Sequence, residues 1–215
     1  MDMAIQLDHC FILTEPGAPQ ADFLVDIGMV EGTTNDHPGQ GTANRRFFFE
    51  NTALELLYIR DAEEAMNGPA SRLRCVEQGA ESGASPFGIV VRRTDDSADD
   101  PFPGWRYFPQ YFGADKYFQV GENSNVLEEP LCICMPIMPP APSGQPPPRE
   151  PFTRVTELRI SVPVNRPSAV LETVGGCERI SLTPGAPHHM EIIFDDGRAG
   201  QAKDLRPDLP LVVNW

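Results

Sequence analysis

The chain has 215 residues, enough for one large domain or two small ones with a real core, and its composition of 40% hydrophobic and 22% charged residues excludes coiled-coil, collagen-like and disulfide-scaffold classes. Seventeen basic residues against 31 acidic ones give a formal charge of −14, a field that repels phosphate backbones and anionic lipid, so neither nucleic acid nor membrane is expected as a partner. Proline is the outlier: 23 residues, twelve of them from Pro101 to Pro151, which keeps long helices out of that part of the chain.

No stretch approaches the ~20 apolar residues of a membrane span. Met1-Asp2-Met3 carries no basic flank, and the five cysteines are odd in number and scattered, which reads as a cytoplasmic protein with reduced thiols. Only Lys116 and Lys203 are lysines, so the remaining basic groups are guanidiniums suited to fixed ion pairs or carboxylate contacts.

In chain order, residues 3–13 predict a strand ending at Thr14-Glu15-Pro16-Gly17. Residues 18–29 predict an amphipathic helix stopped at Gly28, and residues 31–41 an irregular polar loop. Asn44 to Glu50 and Thr52 to Ile59 read as a hairpin turning at Asn51. Helix formers follow from Asp61 to Gly79 around Gly68-Pro69, then a strand over Pro86 to Arg93, an acidic loop over Asp95 to Asp100, aromatic strands over Trp105–Phe112 and Lys116–Val120, and a buried one over Leu131–Met135. Eight prolines in residues 136–151 mark an extended linker. Beyond it come a strand (Arg154–Val162), a short helix (Pro167–Val174), strands at Glu178–Leu182 and His189–Phe194, and a last one near Leu211–Val213. The organisation expected is therefore 1–94, 95–135, a linker at 136–151, and a β-α-β-β repeat at 152–215.

Both ends of the chain place a strand, a helix and further strands in order, with Glu55 in Leu54-Glu55-Leu56 and Glu191 in Met190-Glu191-Ile192. Such a unit is too small to bury its sheet alone and must pair with another. Leu7-Asp8-His9, the run His37-Pro38-Gly39-Gln40-Gly41-Thr42-Ala43-Asn44, and Leu54-Glu55-Leu56-Leu57 resemble the start of the glyoxalase-like branch of the vicinal oxygen chelate superfamily. The resemblance is specific over residues 5–60 and topological beyond Arg93. It implies an α+β fold of repeated β-α-β-β-β modules whose curled mixed sheets surround a shared cleft.

It further implies that His9 and Glu55 hold a divalent metal ion (Zn, Fe, Ni, Co or Mn), with Glu55 also catalytic; the third ligand expected is Glu191, and Cys134 is the other candidate. Mixed N and O donors with open positions suit an ion that polarises vicinal oxygens of a small substrate. His37, Thr42, Asn44, Arg45 and Arg46 are the expected substrate-binding groups; Arg45 and Arg46 alternate along a strand, so at most one reaches the cleft. The second-module strands Phe87–Arg93 and Leu131–Met135 offer no His or carboxylate. The function expected is a metal-dependent lyase, isomerase or dioxygenase acting on a small oxygenated metabolite, or a metal-free binding module of the same fold.

Competing structural readings remain for each group. His9 could be a satisfied core histidine, Thr42 and Asn44 turn stabilisers, Cys132 and Cys134 core packing, and His188-His189 an exposed pair. The aromatic run 105–118 leaves open a sheet core, a cleft cover or a homodimer contact. The absence of P-loop, dinucleotide, HExxH and GxSxG motifs excludes kinases, Rossmann dehydrogenases and serine hydrolases.

Overall fold

The computed structural model describes residues 5–78, 83–94, 100–113, 116–136 and 145–215. Eight strands form one curled mixed sheet: β1 (Ile5–Thr14), β2 (Asn35–His37), β3 (Thr42–Phe48), β4 (Ala53–Ile59), β5 (Phe87–Arg93), β6 (Gly104–Tyr107), β7 (Phe118–Gly121) and β8 (Leu131–Met135). Their spatial order, β2-β3-β4-β1-β5-β8-β7-β6, contains the same pairing twice. In each half the first strand runs parallel to the fourth, and the fourth antiparallel to the third. The halves join edge to edge where β1 meets β5 antiparallel, giving a half-barrel.

A second, five-stranded sheet follows: β9 (Val155–Val162), β10 (Ile180–Pro184), β11 (His189–Phe194), β12 (Ala202–Asp204) and β13 (Leu211–Asn214), in the order β10-β9-β11-β13-β12. Here the first strand lies parallel to the strand immediately after the helix, so this unit is wired differently from the two halves of the barrel. The change of sheet falls across the proline-rich segment 136–151, of which residues 137–144 lie outside the described residues, as do residues 95–99 of the acidic loop. By pairing, β5 groups with β6–β8.

Strand alternation explains the layering. The convex face of the half-barrel carries Leu7, Cys10, Ile12, Leu54, Leu56, Phe87, Ile89 and Val91, all buried against Leu158, Ile160, Met190, Ile192, Leu211 and Val213 of the second sheet. The concave face carries Phe11, Leu57, Val90, Leu131 and Ile133. Cys132 and Cys134 point to the convex core, where burial pushes both thiols up to about 12, and all five cysteines are free.

Helices are few and short: α1 (Ala21–Asp26), α2 (Ala62–Asn67) and α3 (Ala169–Gly175). Asp61 caps α2 by accepting from Glu64 N, and Ser168 caps α3 by accepting from Leu171 N. The helix predicted over residues 18–29 shrinks to α1 because Ala18 and Gly28 both adopt positive φ, leaving one and a half turns between them. The polar edge strand β2 falls in the segment read from sequence as an irregular loop, and the edge strand β12 in a stretch for which no element was predicted; an edge strand needs only main-chain pairing on one side and carries no apolar alternation. The strand predicted over 105–112 ends at Tyr107, and a 3₁₀ turn at Gln110–Phe112 follows Pro109. No helix among the described residues is long and apolar enough to cross a membrane.

Two features of β1 set the concave surface. A β-bulge between Leu7 and His9 shifts its register against β5, so Leu7 faces the second sheet while Asp8 and His9 both face the cleft. Opposite Phe11 stands Gly88, where any Cβ would overlap the Phe11 ring, so the ring lies flat across the seam. Gly88→Ala is expected to destabilise the fold by about 1–3 kcal/mol in urea denaturation. Adding Phe11→Leu should recover part of that loss; additive losses in the double variant would refute the contact.

Candidate functional site

The concave face encloses a cleft of about 670 Å³. Its floor follows from strand register. In one row Phe48, Ala53, His9, Val90 and Ile133 stand side by side across β3, β4, β1, β5 and β8. In the next row stand Arg46, Glu55, Phe11 and Gly88. His9 and Glu55 are therefore diagonal neighbours on adjacent strands, and Ala53, the smallest side chain beside His9, keeps the floor open.

His9 Nδ1 lies 2.7 Å from Asp8 Oδ1. An ionised carboxylate only accepts, so Nδ1 carries the proton and Nε2 is left for the cleft. Burial alone would lower the His9 pKa, but the Glu55 charge and the Asp8 hydrogen bond outweigh it, and the net shift is upward from 6.5. Burial likewise works to raise Asp8, yet the hydrogen bond and charge of His9, with Arg92 behind them, hold it below its ordinary value. Glu55 Oε2 accepts from Asn44 Nδ2 at 2.9 Å, and Asn44 Oδ1 accepts from Asn35 N at 3.0 Å.

His37 sits on the other side of Glu55. Its pKa is lowered, first by burial and then by the Arg46 and His9 charges, against the pull of Glu55. Its Nδ1 is 2.9 Å from Thr42 Oγ1, and Thr42 Oγ1 accepts from Gln40 Nε2 at 3.0 Å. Gln40 Oε1 in turn accepts from Tyr111 OH at 3.2 Å, tying the second half of the barrel to the first across the cleft mouth. The tight turn that makes this possible is Pro38-Gly39-Gln40-Gly41. Gly41 has φ of +71°, and a Cβ there would run into the backbone of Asp61 and Ala65.

Arg45 and Arg46 face opposite ways. Arg45 forks onto both Glu31 oxygens (2.7 and 2.6 Å), reaches Asp22 (2.8 Å) and donates to Ala18 O (3.2 Å), so it fastens α1 and is not among the residues lining the cleft. Arg46 lines the cleft. Its Nε donates to Thr33 O (2.7 Å) and one Nη to Thr33 Oγ1 (3.0 Å), and its guanidinium lies 5.0 Å from the centre of the Phe48 ring.

The residues expected to build a site thus divide. His9, Glu55, His37 and Arg46 line the cleft. Thr42 and Asn44 are fully buried and support His37 and Glu55 from behind. Glu191 is on β11, where it accepts from Arg159 (3.1 Å) and Asn214 (2.6 Å) in the second sheet and does not approach His9 or Glu55; the apparent repeat of Glu55 dissolves because the C-terminal unit has its own pairing order. Cys134 faces the convex core, and His188 and His189 also lie outside the cleft.

Sequence reading missed Thr33, Asn35, Gln40, Arg92 and Gln145, all of which line the cleft, whereas Tyr111, also in the lining, belongs to the aromatic run for which a cleft cover was one of the readings. Only Gln40 had a local signal, the two glycines flanking it.

The remaining wall comes from the second half of the barrel and is apolar: Val90, Phe112, Phe118, Ile133 and Met135. No cluster of three or more His, Cys, Asp or Glu able to hold a metal ion occurs among the described residues. A divalent centre of the kind the resemblance implies draws donors from both halves, and the facing positions on β5 and β8 are Gly88, Val90, Arg92, Leu131, Ile133 and Met135. None supplies an imidazole or carboxylate, so these residues do not fit a three- or four-donor ion.

No protein-family model matches the sequence, and no curated protein is significantly similar to it. Among solved structures, the fold is similar to that of a hypothetical protein from Staphylococcus aureus over 97% of this chain and 98% of that one, with a TM-score of 0.52 and 11% identity. A methylmalonyl-CoA epimerase from Mycobacterium tuberculosis aligns over 65% of this chain and 92% of its own, at a TM-score of 0.44 and 12% identity. A mutant 4-hydroxymandelate synthase from Streptomyces coelicolor aligns over 90% and 74%, at 0.48 and 11%. At these identities the likeness is one of fold, and nothing about the chemistry of the cleft follows from it.

The two cleft histidines should titrate on opposite sides of 6.5, His9 above and His37 below, as followed by imidazole NMR resonances. A raised folded pKa contributes stability that is complete below the unfolded value and lost as pH rises through the folded value. The stability difference between wild type and His9→Ala is therefore expected to be larger near about pH 5.5 than near about pH 8.5. Equal differences at both pH values, or His9 titrating below His37, would contradict the charge arrangement.

Proposed function

We propose that the cleft binds a small oxygenated molecule and exchanges a proton with it through Glu55 and His9, without a metal ion. The observation that carries this reading is an imidazole acted on by two carboxylates, Asp8 and Glu55, on the polar side of a cleft whose other wall offers no imidazole or carboxylate among the described residues. The resemblance of residues 5–60 to glyoxalase-like proteins supports the cleft as the place where chemistry occurs. It also supplied the metal-dependent alternative, for which His9 and Glu55 make only half a donor set.

The roles follow from the hydrogen bonds. Glu55 has Oε2 held by Asn44, which fixes the carboxylate's orientation and directs Oε1 to the ligand as a proton acceptor. His9, its tautomer set by Asp8 and its charged form favoured by both carboxylates, is the complementary donor at Nε2. His37, held neutral, can hydrogen-bond a carbonyl or hydroxyl oxygen without adding charge. The apolar wall strengthens these interactions by excluding water.

Purified protein grown with added Zn²⁺, Ni²⁺, Fe²⁺, Co²⁺ and Mn²⁺ should carry well under one equivalent of any of them by elemental analysis. One full equivalent that disappears in both His9→Ala and Glu55→Ala would overturn the metal-free reading. In D₂O, a panel of small carbonyl compounds with acidic C–H bonds should include members whose hydrogen exchange, followed by NMR, is accelerated by the protein. Glu55→Gln should then lose about 10²–10⁴-fold of that acceleration; undiminished exchange in this variant would remove Glu55 from the role.

A further inference from the structure

Arg46 differs from its neighbours in how its charge is met. Arg45 is neutralised by Glu31 and Asp22, and Arg93 and Arg106 both reach Asp100. Arg46 is half-buried, yet its described hydrogen-bond partners are the neutral oxygens of Thr33, and it has no ion pair within 4.0 Å among the described residues. Glu55, opposite it across β3 and β4, acts on it only through space. A guanidinium has five donors, and two N–H groups are directed at Thr33, so donors on its other edge remain for the cleft.

The group is also held in place in advance. Thr33 N donates to Gln145 Oε1 (3.1 Å), and Gln145 Nε2 donates to Thr33 Oγ1 (2.7 Å), so the oxygens that orient Arg46 are themselves clamped. The face of the guanidinium rests on Phe48. A charged fork fixed by neutral partners beside an apolar wall is the arrangement that binds a carboxylate by paired hydrogen bonds with little ordering cost.

The charge balance limits the occupant further. The charged side chains of the lining are the carboxylates Asp8 and Glu55 and the guanidiniums Arg46 and Arg92; Arg92 lies 3.7 Å from Asp8, and Arg46 is the guanidinium without an ion pair among the described residues. One carboxylate matches that one open fork. A phosphate dianion would crowd the Asp8 and Glu55 carboxylates. Beyond these charged groups, Phe112, Phe118, Ile133 and Met135 of the second half line the cleft with a ring-sized apolar surface.

We infer that the cleft is a receptor for an aromatic or similarly flat apolar monocarboxylic acid, with Arg46 as the residue that selects the acid. This rests on the reading of the cleft as the small-molecule site but not on proton transfer or on the absence of a metal. The test is calorimetric titration of the full chain with 3-phenylpropanoate, 3-phenylpropanamide and propanoate, with the His9 and His37 imidazole resonances followed in parallel. The acid should bind saturably and shift both resonances, and the amide and the ringless acid should each bind at least about tenfold more weakly.

Arg46→Gln should erase the preference for acid over amide, and Arg46→Lys, which keeps the charge but not the fork, should retain part of it. Equal binding of acid and amide by wild type, or an unchanged preference in Arg46→Gln, overturns the inference while leaving the cleft as the binding site. Failure of all three compounds to bind also overturns it. Saturable binding that moves neither imidazole resonance would instead tell against the cleft itself.

Discussion

The β-bulge at Asp8 is the constraint on which the site depends. β1 lies at the seam between the two halves of the barrel, with β4 on one side and β5 on the other. Strict alternation would put His9 on the same face as Ile5 and Leu7, in a dry interface with the second sheet, where an imbalance of charge is expensive. The extra residue reverses the facing of everything after it. Cys10 and Ile12 continue the apolar convex layer, while His9, Phe11 and Leu13 turn to the cleft side. Because the bulge makes Asp8 and His9 share a face, the carboxylate that sets the imidazole tautomer comes from the adjacent residue.

The half-barrel is symmetric in pairing and asymmetric in chemistry. Nearly all the polar groups of the cleft come from the first half, and the second contributes aliphatic and aromatic surface with Arg92 at the edge. That division has an electrostatic consequence. Charges on a surface backed by low-dielectric side chains interact more strongly than the same charges in water, which is how Glu55 and Asp8 can overcome the burial of His9. The C-terminal sheet contributes no side chain to the cleft lining. Its role is to bury the convex face, and it is tied to the half-barrel at buried Glu129, which accepts from Ser168 N and Ser168 Oγ at the start of α3.

Long apolar strands were legible from composition alone, since β4, β5, β8, β9 and β11 are dense in branched and aromatic residues. The bulge was not: Leu7-Asp8-His9-Cys10 gives no local sign that two successive side chains share a face. Nor could sequence reveal that Glu191, in a segment patterned much like that of Glu55, belongs to a sheet with a different strand order. Periodicity reports which residues share a face, whereas strand order is decided by packing between distant segments. Thr33 and Gln145 were invisible for the same reason: each acts through a partner far away in the chain, in their contact with each other. Thr42 and Asn44 were found as residues but assigned one layer too far forward.

Arg45 and Arg46 show how much one residue of register decides. Both are guanidiniums on one strand, identical in intrinsic chemistry. Arg45 meets two carboxylates and is spent on holding α1. Arg46 meets neutral oxygens on the concave side and keeps its charge for the cleft. In a protein with a net charge of −14, a half-buried cation without a direct counter-ion among the described residues is not the arrangement that stability alone favours, because acidic side chains are abundant and a charge taken out of water without a partner carries a desolvation cost. The structure bears that cost at the position where β3 faces the cleft, and it secures the cation with Thr33 and Gln145, which cannot neutralise it. The backbone carbonyl and the hydroxyl of Thr33, the residue that Gln145 clamps, hold the guanidinium still while leaving its charge to an incoming anion.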